Sequence, residues 1–195
     1  ANFHKNYSNL NVKVVTLENI YPEFSSGKQD IAAIRNFVKY VYFNAPAGER
    51  VKYLNIFGDA SFDFKDRIPN NTNIVPIYQA LNSYTESQIS FATDDFFGMM
   101  DDDEGRLDSG NSSFNGSTSF SLDLGGIDIA VGRMIVSTVQ QAEEMVNKVL
   151  EYHDIKSYGS WRTNYVAIAD DSDKPSDTSM QFKQNNLTDL VASQK

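Results

Sequence analysis

The chain has 195 residues, with 17 Lys and Arg against 26 Asp and Glu for a net charge of −9, and no cysteine. Its length suits one sizeable domain, and the acidic excess excludes nucleic acid as a partner, because phosphate binding needs clustered basic side chains. Without cysteine there is no disulfide framework, no thiolate metal site and no thiol nucleophile among these residues.

The opening "ANFHKNYSNL" has no initiator Met, and its Phe3, Tyr7 and Leu10 fall at helical spacing. It reads as the tail of an amphipathic helix already under way, and so as the start of an excised fragment. Residues 12–17, "VKVVTL", are β-branched and predict a short strand. A helix follows, with Ile31, Ile34, Val38, Val41 and Ala45 on one face and Pro46 closing it. "YLNIFGDA" at 53–60 predicts a buried strand ending in Gly58 and Asp59. The short strand "VPIYQ" and the strand-like "ATDDFFGMM" come next, the latter running into the acidic Asp101 to Glu104. Residues 109–121 are Ser-, Gly- and Asn-rich and predict a mobile surface insertion.

"GIDIAVGRMI" resumes as a strand, and residues 137–156 predict a helix with Val139, Ala142, Val146, Val149 and Leu150 as its apolar stripe. Ser137 and Gln140 suggest a capping box at its start. The strand "NYVAIADD" at 164–171 and a weaker helix pattern through "MQFKQNNLTDLV" complete the series. Strands alternating with helices predict an α/β fold with a doubly wound, mainly parallel sheet flanked by helices. No stretch reaches the roughly 20 apolar residues that would span a bilayer, so direct membrane insertion by this chain is not expected.

Three strands end in charge: Asp59, Arg133, and the pair Asp170 and Asp171. Carboxyl ends of parallel strands are where sites form in such sheets, which makes these residues a candidate rim. Asp59 is either an acceptor of turn N–H groups or a ligand or catalytic orienter. Arg133 is either a structural ion-pair partner or a substrate contact. Adjacent strand residues point to opposite faces, so only one of Asp170 and Asp171 can face a site. His4 and His153 are the only histidines, and His153 sits near a helix C-terminus, where the dipole favours an imidazolium. Glycine-rich phosphate loops, serine elbows and zinc-binding helix motifs are absent. Asn6, Asn70, Asn111, Asn115 and Asn186 open Asn-x-Ser/Thr triplets of a kind common by chance in such a composition.

Together, "YLNIFGDASFDF", "NNTNIVPIYQ", "ATDDFFGMMDDDEG", "IDIAVGRMIVSTVQQAEEMVNKVLEYH" and "WRTNYVAIADD" resemble the gingipain family of cysteine peptidases, in order and over almost the whole chain. The resemblance implies a caspase-like α/β sandwich of which this chain is the front portion. Residues 161–195 would begin the subdomain whose catalytic His and Cys lie downstream. Within the family the likeness is greatest to the sortase of type IX secretion, a cysteine endopeptidase and transpeptidase of the outer membrane surface. Its partners would be secreted cargo proteins with C-terminal signal domains and other secretion-system components. The resemblance carries the acid that supports the catalytic His to Asp171, with Asp170 as alternate. It also carries structural calcium ligands to Asp59, Asp101, Glu104 and Asp128. The region that grips a basic side chain in trypsin-like members reads "TSMQF" here, so Arg or Lys specificity is not implied. Two rivals are a non-catalytic partner-binding module of the same fold and an unrelated flavodoxin-like regulatory domain. The latter would use Asp59 as phosphoacceptor and needs a strand ending in Lys, which this chain lacks.

Overall fold

The computed structural model describes residues 1–46, 48–79, 91–102, 104, 126–164 and 166. Four α-helices are present among them: α1 (Asn2–Tyr7), α2 (Leu17–Phe24), α3 (Ile31–Asn44) and α4 (Val139–His153). The strands are β1 (Tyr53–Phe57), β2 (Tyr78–Gln79), β3 (Ala92–Thr93) and β4 (Ala130–Met134). By contacts the chain divides into two units, Ala1–Leu150 and Glu151–Lys195.

In the first unit β1 and β4 pair in parallel, from Tyr53 opposite Ala130 to Phe57 opposite Met134. β2 and β3 form a small antiparallel pair. Helix, strand and a parallel ladder together make an α/β fold. The parallel partner of β1 comes from more than seventy residues further along, as a crossover connection requires.

The strand expected over 12–17 is not formed. Residues 11–16 carry no regular structure, and Thr16, with extended φ and ψ, sits at the N-cap of α2. β-Branched residues stiffen a chain toward extension, but a strand needs a neighbour to satisfy its ladder, and Val14 is 71% exposed. α2 forms even though Pro22, a residue that removes a helical N–H, lies inside it. Leu17, Ile20, Tyr21 and Phe24 nevertheless keep helical spacing, and Ile20 is buried. α3 matches its expected span, with Asp30 Oδ1 accepting from the Ala32 amide at 2.8 Å and Ala33, Ile34 and Val38 buried.

The capping box of α4 is displaced by one residue. Thr138 Oγ1 accepts from the Gln141 amide at 3.2 Å, while Gln141 Oε1 reaches back to the Ser137 amide at 2.7 Å. Gln140 instead donates to Glu144 one turn on.

"FFGMM" is not a strand either. Asp95–Gly98 is a 3-10 turn, and every residue from Phe96 to Met100 is buried. Phe96, Phe97 and Met99 pack with Ile34, Ile56 and Val75, and Met100 packs with Val38 and Ile129. The segment thus plugs the space between α3 and the parallel ladder, where burying one such side chain contributes about 1.5–3 kcal/mol. Gly98 permits that approach, since a Cβ there would lie 2.6 Å from Ile127 Cγ2 and 3.0 Å from the Ile129 carbonyl. The insertion expected over 109–121, nearly all of the strand at 164–171 and the last helix pattern lie outside the described residues.

Candidate functional site

The carboxyl ends of β1 and β4 meet at Arg133. Its guanidinium grips Asp94 with two hydrogen bonds, Nε to Oδ2 at 2.8 Å and Nη2 to Oδ1 at 2.6 Å. Nη1 donates to the carbonyls of Gly58 and Val75, each at 2.8 Å, and Nη2 to that of Pro76 at 3.2 Å. Five contacts match the five donors of a planar guanidinium, which lysine could not imitate. Of the two roles read for Arg133, the structural ion pair is the one formed, and its donors are spent on the fold.

Asp59 lies just beyond. Its amide donates to Val136 O, and its carbonyl accepts from the amides of Ile74 and Val75. The carboxylate accepts from the Ala60 amide at 2.8 Å and from Ser137 Oγ at 3.0 Å. The Thr72 side chain holds the Asp59 carboxyl below the ordinary carboxylate range; partial burial opposes this, and the Ala60 amide, Ser137 and the positive charge of Arg133 add to it. Asp59 therefore fastens β1, the 72–75 segment and the start of α4 together as a turn acceptor. Asp63 plays a similar part in the same loop: buried, it accepts from the amides of Arg67 at 2.6 Å and Ile68 at 2.7 Å.

The acidic run lies at the other end of the ladder. Adjacent amides there hold two carboxylates, Met100 N donating to Asp128 Oδ2 at 2.8 Å and Asp101 N to Glu104 Oε2 at 3.1 Å. α3 supplies the compensating charge. Arg35 donates to the carbonyls of Met99 and Asp101, at 2.7 and 2.9 Å, and Lys39, one turn on, pairs with the exposed Asp102. The Lys39 hydrogen bond, its charge and that of Arg35 lower the Asp102 carboxyl from its ordinary value.

The four residues expected to bind calcium are therefore not gathered into one place. Asp59 is bonded beside Val136 past the C-terminal end of the ladder, whereas Asp128 precedes its N-terminal end by two residues. At about 3.3 Å per residue the interval approaches roughly 25 Å, against the 2.3–2.6 Å at which oxygen ligands surround calcium. Among the described residues no three acidic or histidine side chains are placed to hold a metal ion. Asp171 and Asp170 lie outside the described residues.

The model of peptidase family C25 matches residues 1–195. The chain belongs to peptidase family C25, the gingipain family. Among solved structures it is similar to the crystal structure of dimeric latent PorU from Porphyromonas gingivalis, at 27% identity and a TM-score of 0.57. That match covers 95% of this chain and 16% of the PorU chain, so the chain spans a small part of its structural relative. No curated protein sequence matches.

Within this C25 chain, sequence reading found Asp59 and Arg133 but missed Asp94, Thr72, Arg35 and Lys39. For Arg35 and Lys39 a signal existed in their i, i+4 spacing on α3, ahead of a run of acids. Nothing local marks Asp94 over Asp95 as the partner of Arg133, because they meet only when β4 returns beside β1.

Proposed function

We propose that this chain is the front portion of the peptidase domain of a type IX secretion sortase with a caspase-like fold. The observation that carries the reading is the C25 match over the full chain combined with 27% identity to PorU over 95% of it. The complete protein would act at the extracellular face of the outer membrane, removing C-terminal signal domains from secreted cargo and supporting cargo attachment alongside other secretion-system components. The chemistry would be acyl transfer: a cysteine thiolate attacks the scissile carbonyl, the C-terminal segment leaves, and water or an acceptor amine resolves the thioester. No cysteine is among these 195 residues, so that nucleophile and its histidine would come from polypeptide outside them, with residues 161–195 opening the subdomain that carries them. Asp171, or Asp170, would hold the histidine in the tautomer that accepts the thiol proton. Asp171→Asn in the complete enzyme should then lower kcat at least about tenfold without unfolding it.

The structural calcium ion that family likeness implies at Asp59, Asp101, Glu104 and Asp128 is not carried into this reading, because those carboxylates are not gathered around one point. The lack of cysteine favours a second reading, a non-catalytic partner-binding module of the same fold. The two separate when the complete protein is incubated with a cargo protein bearing its C-terminal signal domain. Release of that domain, detected by mass spectrometry and stopped by thiol alkylation, supports the sortase; intact cargo bound without cleavage supports the module.

A further inference from the structure

We draw no further inference here: the strongest candidate, the apolar groove between the end of β1 and α4 that is lined by Phe57, Val139, Ala142 and Val146 together with Glu143 and Asn147, is an unpartnered face, and nothing among the described residues shows what covers it.

Discussion

Arg133 and Asp94, 39 residues apart, form a two-pronged ion pair in which the arginine side chain is 7% exposed and the aspartate 17%. The same guanidinium ties down the carbonyls of Gly58, Val75 and Pro76, so that, with Asp94, three segments of chain depend on one side chain. Removing one partner of such a pair leaves a charge stranded, at a cost of roughly 3–5 kcal/mol. Arg133→Met and Asp94→Asn should each lower the unfolding free energy by that order, seen as a lower urea midpoint with an unchanged m-value. The double variant Arg133→Met with Asp94→Leu should not recover, because the three carbonyls still lack their donor. Full recovery would show that the carbonyl contacts contribute nothing.

The acidic run should prove cheap to alter at its tip and costly at its base. Lys39→Gln or Asp102→Asn breaks an exposed pair and should change stability little, less still in high salt. Arg35→Gln removes the donor to two backbone carbonyls and should cost about 1–3 kcal/mol, with little salt dependence. Denaturant titrations at low and high salt separate the two.

Gly98→Ala should destabilise by about 1–3 kcal/mol, since the new methyl would meet Ile127, Val131 and the Ile129 carbonyl at 3.0 Å or less. Gly132→Ala, in β4 with open space around its Cβ position, is the control and should be close to neutral. Thermal melts of both variants check the contrast.

Much of this was legible in the sequence because it is local. The period of α3 and the β1 segment ending at Gly58 and Asp59 follow from spacing within a dozen residues, and so does the helical period of α4, although Val139, Val146 and Leu150 of its expected apolar stripe stay exposed. What sequence reading missed is long-range or depends on competition. The 12–17 segment has strand composition but finds no neighbour, and the buried "FFGMM" plug imitates a strand because both bury apolar residues. The acids at 59 and 128 look interchangeable as ligands until the parallel register sets them at opposite ends of the ladder. Family likeness supplied the assignment of this chain to C25 peptidases, which no single motif in it could have given.

Asp59 gives stability a defined acid limb. Its folded carboxyl titrates below the unfolded value of about 3.9, so its contribution is complete above that value and is lost as pH falls through the folded pKa. Asp59→Asn should flatten the stability profile below about pH 4 and leave its alkaline side unchanged. Thr72→Val, which removes the leading cause of the shift, should move the limb to higher pH. Urea midpoints measured from pH 2.5 to 7 provide the check.

The chain belongs to peptidase family C25, and the proposed sortase would draw its thiol nucleophile from polypeptide outside these 195 residues, which hold no cysteine. The most direct measurement is turnover of a fluorogenic peptide mixture by the purified chain and by the complete protein that contains it, each before and after iodoacetamide. The chain alone should show no turnover, and the complete protein turnover that iodoacetamide abolishes. Turnover by the homogeneous chain that iodoacetamide leaves untouched would contradict that placement of the nucleophile.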